Sequence, residues 1–303
     1  MTPQTKFQAV GYLVLAAFFC PQPGNAQTPA PDHPAVTVAG RTYTPRSILA
    51  RNMGTPEDQT TAFPPHKIVG NVYYVGLRTL SSFLIVTPRG NILIDSTYER
   101  NVPTIKKSVE QLGFKFSDVK ILLGNHAHGD HQEGDAAVKE LTGAQVVVMS
   151  EDVPALEAIK PGGKVHPIDR KLRDGDRVEL GGTTLVAHLT PGHTRGCTTW
   201  TMKASEGGKV YDVVFGCSLR APAVLTPEIV KEFDGSFKSV RSLPCDVPLG
   251  DHPAQFNLAE KYSKIKNGGA NPYIDAAGCK LEPAISEAMF KAILAEQQQK
   301  PAR

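Results

Sequence analysis

Seven consecutive residues, Asn125-His126-Ala127-His128-Gly129-Asp130-His131, constrain this chain more than any other feature. Three imidazoles and one carboxylate fall within six positions. They directly follow a short, largely apolar run, Val119 to Leu123, that reads as a buried strand. Neutral imidazole and carboxylate are the ligands of a borderline divalent cation such as zinc. Four such groups are too many for one open catalytic ion, which takes three protein ligands and keeps a position for water. The economical arrangement is two ions side by side, each completed by ligands supplied later in the chain.

With 303 residues the chain is long enough for one large α/β domain. An apolar content of 41% and a charged content of 21% mark it as globular. A net charge of +3 is too small to imply a nucleic-acid or membrane-surface role. Residues 1–26 are set apart. Lys6 precedes an apolar run from Ala9 to Phe19, Pro21, Pro23 and Gly24 break it, and Gly24-Asn25-Ala26 offers small residues for cleavage. That is the order of a secretory signal peptide, and the run is too short for a transmembrane helix. The expected organisation is a signal peptide at 1–26, a single domain at 27–303 and a periplasmic location. Cys20 would suggest lipid attachment, but Phe18 and Phe19 before it are too bulky. Export leaves Cys197, Cys217, Cys245 and Cys279, an even number that favours disulfides. Three pairings are open. Cys197–Cys217 with Cys245–Cys279 is preferred because each joins neighbouring segments; free buried thiols are the alternative.

Residues 27–65 read as an extended leader with a short helix near Ile48 to Asn52. Lys67 to Val75, Ser82 to Val86 and Asn91 to Ile94 form a strand meander. Pro103 to Leu112 has helical spacing, with Pro103 opening it and Gly113 closing it. After the histidine cluster come a helix (Glu133 to Leu141), a strand (Gln145 to Met149) and a helix (Asp152 to Ile159). Lys171 to Val178 surrounds a turn at Asp174-Gly175. Thr183 to Leu189, Thr198 to Lys203 and Lys209 to Phe215 are strands, the last two joined at Glu206-Gly207-Gly208. Glu282 to Gln298 is a helix packed by one face. Strands and helices that come round twice suggest two β-layers flanked by helices rather than one doubly wound sheet.

Two later loops carry further imidazoles beside Gly or Pro: His193, after the strand ending at Leu189, and His252. Five of the nine histidines thus join one pattern, which speaks against a coincidental polar turn. His126-x-His128-x-Asp130-His131 followed by His193 and His252, with Thr190-Pro191-Gly192-His193-Thr194-x-Gly196 and Asp95 at a strand end, resembles the metallo-β-lactamase superfamily. In detail it is similar to the subclass B3 enzymes. The resemblance covers most of the chain after residue 26 and implies an αββα four-layer sandwich with two zinc ions. By position, His126, His128 and His193 would hold the first zinc and Asp130, His131 and His252 the second. In subclasses B1 and B2 a cysteine serves the second metal; here His131 takes that role, as in B3. Glyoxalase II and related hydrolases carry a bridging aspartate near Gly216-Cys217-Ser218-Leu219, where this chain has none. Cys245–Cys279 matches the usual B3 disulfide.

The activity implied is hydrolysis of the β-lactam amide of penicillins, cephalosporins or carbapenems by a zinc-bound hydroxide. Asp130 would be a catalytic residue as well as a ligand, orienting the hydroxide and carrying a proton. Ser218 would contact the substrate carboxylate. Arg220 stands where many B3 enzymes have Ser or Thr: it either grips that carboxylate through charge and a bidentate fork or points to solvent. The expected partner is a small-molecule β-lactam acting on a monomer, with no nucleic acid or membrane. Asp95 would brace the metal loops. His33, His66, His166 and His188 read as surface or hydrogen-bonded histidines, and Trp200 as core. No Gly-x-Ser-x-Gly elbow or phosphate loop occurs. Two rival functions are an exported dizinc hydrolase of another lactone, ester or thioester, and a zinc-dependent structural or binding protein. Three ligands per ion leave each ion open, which argues against the last.

Overall fold

Alternate residues of the central strands face two different cores, and this makes the molecule four layers thick. In the strand Gly90–Ile94, Ile92 and Ile94 join one buried cluster while Leu93 between them joins another. Phe83 and Ile85 against Leu84, and Ile121 and Leu123 against Leu122, repeat the pattern. The first cluster is the space between two sheets, where these residues meet Leu185, Trp200, Met202 and Phe215. The second lies beneath helices Val102–Gln111, Asp135–Thr142 and Val153–Ala158. The protein is described from a computed structural model, over residues 32–299; the proposed signal peptide lies outside the described residues.

One sheet has seven strands in chain order, from His66–Val69 to Arg170–Leu172. It begins as an antiparallel meander and turns parallel from Gly90–Ile94 onward. The other has five strands, Arg177–Leu180, Thr183–Leu189, Thr198–Glu206, Lys209–Gly216 and Val247–Gly250, with a parallel last pair. Helices Pro227–Ser242 and Leu281–Gln299 pack together through Phe233, Phe237 and Phe290. The expected αββα sandwich is observed. Both preferred disulfides are formed, Cys197–Cys217 and Cys245–Cys279. They separate their cysteines by 20 and 34 residues; in the chain-entropy account loops of that order stabilise by roughly 3 kcal/mol each.

The structure corrects several expected elements. The leader contains an unforeseen hairpin, Val36–Val38 with Arg41–Tyr43; the short helix expected near Ile48 to Asn52 is present as Pro45–Met53, and Thr44 caps it by accepting from the Ser47 N–H. The strand expected at Lys67 to Val75 is two strands, because Gly70 turns the chain with φ +54°. The helix expected at Glu133 to Leu141 is observed at Asp135–Thr142, and a separate helical turn, Gly129–Gln132, precedes it. Between them the Gly134 N–H donates to the Thr97 carbonyl at 2.8 Å. Helix Pro227–Ser242 was not anticipated, although Thr226 caps it and Pro227 sits in its first turn, as helix starts prefer. The turn at Asp174-Gly175 does more than reverse the chain: it carries it from the edge of one sheet to the edge of the other.

His166 is buried rather than at the surface. Its Nδ1 faces the Pro167 carbonyl at 3.1 Å, and its Nε2 lies 3.1 Å from the Gln132 carbonyl and 3.3 Å from Asp135 Oδ2. Ser96 Oγ donates to the other Asp135 oxygen at 2.6 Å. Burial pushes the imidazole pKa down, but Asp135 and the carbonyls outweigh it and hold it above the ordinary 6.5. Replacing His166 by Ala leaves Asp135 buried and unpaired, so we expect a loss of about 3–5 kcal/mol, read as a lower urea midpoint. Because the folded pKa is raised, the stabilisation from His166 is complete below its unfolded value. It fades as pH rises through the folded one, so the gap between wild type and variant narrows in alkaline buffer.

Candidate metal centre

The strand Val119–Leu123 ends where the two sheets meet, and its outgoing loop places His126, Ala127 and His128 before a single helical turn, Gly129–Gln132, presents Asp130 and His131. Three further segments close on this loop. Asp152 joins it to the His193 loop: its carboxylate accepts from the Ala127 N–H (2.8 Å), the Gly196 N–H (2.7 Å) and the Thr194 hydroxyl (2.9 Å). Gly196 is required for that approach, since a Cβ there would lie 2.5 Å from the Asp152 backbone nitrogen. The segment Gly216 to Arg220 continues from the strand Lys209–Gly216, and His252 follows the strand Val247–Gly250.

The six residues singled out in the sequence converge in two sets of three. One ligand atom each from His126, His128 and His193 lie within 4.8 Å of one another, as do those of Asp130, His131 and His252. The sets are adjacent, with the rings of His126 and His131 4.2 Å apart. His126 Nε2 and His128 Nδ1 are 3.0 Å apart, and Asp130 Oδ2 lies 3.3 Å from His131 Nε2 and 3.9 Å from His252 Nε2.

Outer neighbours dictate which nitrogen points inward. His193 Nδ1 donates to the Arg220 carbonyl at 3.0 Å and His252 Nδ1 to the Thr79 carbonyl at 2.9 Å. A carbonyl only accepts, so both Nδ1 atoms carry the proton and both Nε2 lone pairs face the centre. His131 Nδ1 faces Asp95 Oδ2 at 3.1 Å, and Asp95 Oδ1 accepts from the Asn125 N–H at 2.8 Å. Asp95 therefore braces the metal loop, as expected. Asp95 and Thr97 have φ near +60°, a strained region for residues with a Cβ. The strain sits where the loop grips its neighbour, since the Thr97 N–H donates to the His131 carbonyl at 2.9 Å.

These groups fit divalent cations. Burial lowers the pKa of His126, His193, His128 and His252, which keeps their lone pairs free. Burial also acts on His131, but Asp130 and Asp95 on either side outweigh it and raise its affinity for positive charge. Burial pushes the Asp130 carboxyl up, yet His131, His252 and His128 hold it well below the usual carboxylate range. Burial raises Asp95 to about 6. His131 Nε2 is buried without a hydrogen-bond partner, although Asp130 is near: both atoms aim at the same shared space. Asp95, Asp130 and Asp251 add negative charge among largely neutral rings, and divalent cations offset that charge.

Ser218 is buried, and its N–H donates to Asp251 Oδ2 at 2.7 Å. Arg220 is part-buried beside the centre. Burial lowers its pKa while Asp130 and Asp251 raise it, and its charge is felt by His128 and His193. No carboxylate among the described residues lies within 4 Å of its guanidinium. Asp152 and Asp251, which complete the centre, carry no local signal in the sequence. His33, His66 and His188 stand apart, bonded to Glu296, Tyr273 and Thr201 respectively.

The sequence matches the metallo-β-lactamase superfamily over residues 75–205. Among solved structures, the native FEZ-1 metallo-β-lactamase from Legionella gormanii is similar at 44% identity with a TM-score of 0.76, covering 80% of this chain and 99% of that one. BJP-1, a subclass B3 metallo-β-lactamase of Bradyrhizobium japonicum, is similar at 34% identity and TM-score 0.74, covering 80% and 97%. Among curated proteins, a hydroxyacylglutathione hydrolase of Hyphomonas neptunium is 33% identical over 135 residues, 45% of this chain and 47% of that protein. The chain spans about half the length of the curated relatives it matches. Sheet order, layer order and likeness over nearly the whole of a solved relative agree: this chain belongs to the metallo-β-lactamase superfamily.

Proposed function

We propose that this protein is an exported, periplasmic, monomeric dizinc β-lactamase of the subclass B3 kind, hydrolysing the amide bond of β-lactam antibiotics. The observation that carries the proposal is the pair of three-donor sets beside a guanidinium with no carboxylate partner among the described residues, in a chain 44% identical to a metallo-β-lactamase that it covers over 99% of that protein's length. His126, His128 and His193 would hold one zinc, and Asp130, His131 and His252 the other. When bound, zinc supplies a water of pKa about 7 and Lewis acidity toward the lactam carbonyl and the departing nitrogen.

The chain supplies the rest. The Arg220 carbonyl and Thr79 carbonyl hold the rings of His193 and His252 rigid, so the donors need no rearrangement. Asp130 has a low proton affinity because imidazoles surround it. It therefore stays ionised, which suits a metal donor that also orients a water; proton carriage is the further role proposed for it. Ser218 and Arg220 would anchor the carboxylate that β-lactams carry, the guanidinium as a two-pronged donor. We expect Arg220→Ala to raise KM for carboxylate-bearing substrates roughly 10- to 100-fold with kcat largely kept; an unchanged KM would mean that Arg220 does not hold the substrate carboxylate.

The curated relatives favour a second reading, hydrolysis of a glutathione thioester or a related ester or lactone. Against it, position 217 holds a disulfide-bonded cysteine and position 218 a serine, where those hydrolases carry a bridging carboxylate. Initial rates with zinc present for a penicillin, a chromogenic cephalosporin, a carbapenem, a lactone and a glutathione thioester decide between them. Turnover of the lactams with the thioester left intact supports the proposal; the reverse order sinks it.

A further inference from the structure

We propose that Asp251 is a positioning residue of this centre. A single buried carboxylate fixes the ring of His126 for metal binding and anchors Ser218, so one group sets both the first donor set and the substrate-facing segment. The inference rests on the metal-binding half of the function proposed above.

Three rings of the centre have a firm acceptor on their outer nitrogen: Asp95 for His131, the Arg220 carbonyl for His193 and the Thr79 carbonyl for His252. For His126 the carboxylate that faces Nδ1 is Asp251, with Oδ2 at the ion-pair distance of 3.4 Å. The other neighbour, Cys217 Sγ at 3.6 Å, is a weak acceptor held in a disulfide. The same Oδ2 takes the Ser218 N–H at 2.7 Å, a short charge-assisted bond. Asp251 cannot drift. Its own N–H donates to the Gly216 carbonyl at 3.2 Å, and its carbonyl accepts from the Ser81 N–H at 3.0 Å. Its second oxygen is buried without a hydrogen-bond partner. A carboxylate left half-satisfied in the interior is costly, and neither the sheet end nor the disulfide needs a charge there. A ring that must keep its proton on Nδ1 and its lone pair on Nε2 does need one. A carboxylate behind that proton also strengthens the ring as a donor.

Two measurements on the zinc-loaded protein test this. Long-range proton–nitrogen correlation spectra of wild type report the tautomer of each imidazole. We expect His126 to carry a slowly exchanging Nδ1 proton; a proton on Nε2 instead overturns the assignment. Chelator competition then compares wild type with Asp251→Asn. The charge-free isostere should weaken zinc roughly 10- to 100-fold at one of the two sites and leave the other near wild type. A purely structural role would lower Tm and leave both affinities per folded molecule unchanged, which overturns the proposal. Should Asp251→Asn fail to fold, the same spectra of metal-free wild type decide, because there no cation fixes the tautomer: an Nδ1 proton on His126 supports the assignment and an Nε2 proton overturns it. Both readouts are independent of substrate, so a protein that meets them yet leaves β-lactams intact supports this assignment and sinks only the β-lactamase reading.

Discussion

Dialysed against a chelator, the protein should lose the proposed hydrolysis of a chromogenic cephalosporin to background, and added zinc should restore it. Among the described residues the centre offers no activated alternative nucleophile: Cys217, close behind His126, is disulfide-bonded, and Ser218 has no ring nitrogen paired with it as a general base. The residues do supply donors that hold a cation. Three carboxylates stand among imidazoles that burial keeps mostly neutral. Removing divalent charge therefore also removes a ligand that binds the folded state alone, worth about 2.7 kcal/mol at a free concentration one hundred times Kd. The expected accompaniment is a lower Tm after dialysis, with zinc restoring Tm and activity together. Activity that survives complete metal removal, verified by elemental analysis, contradicts the metal assignment outright.

His131→Ala should do two things at once. It removes one of the three donors of the second set, so bound zinc should fall from two per chain toward one. It also strands Asp95, whose Oδ2 faces this ring. Breaking a buried pair by deleting one partner costs about 3–5 kcal/mol, so the urea midpoint should drop as well. His188→Ala is the control: that ring bonds only the Thr201 hydroxyl at 2.8 Å, and both zincs and most of the stability should remain. Two tightly held zincs in His131→Ala would mean that the donors divide differently from the two sets described here.

Much of the centre was legible because its chemistry is concentrated. The candidate donors at 126, 128, 130 and 131 must share one loop whatever the rest of the chain does, and a buried strand before them puts that loop at the end of a sheet's strands. His193 and His252 were legible for a related reason: each is a rare residue type beside Gly or Pro after a strand. The two-residue periodicity of strands such as Phe83–Thr87 and the paired glycines at 207 and 208 also carry local signals that need no tertiary context. The helix Pro227–Ser242 was missed because its stabilising contacts, Phe233 and Phe237 on Phe290, come from the far end of the chain.

What tertiary structure alone decided is the set of partners. An aspartate reads the same in sequence whether it faces water or a ring nitrogen. Asp152 gripping two metal loops, Asp251 behind His126 and Asp135 against His166 appear only when segments 25 to 125 residues apart are brought together. Arg220, open to two readings in sequence, takes its place beside the centre because its own carbonyl is tied to His193. The turn at Asp174-Gly175 reverses the chain by local rules, but which sheet receives the next strand depends on where its apolar face is buried. The covalent order of the chain thus chose the donors, since ligand chemistry belongs to the side chain. The folded arrangement chose their protonation and orientation, since these depend on charges and acceptors that only packing brings near.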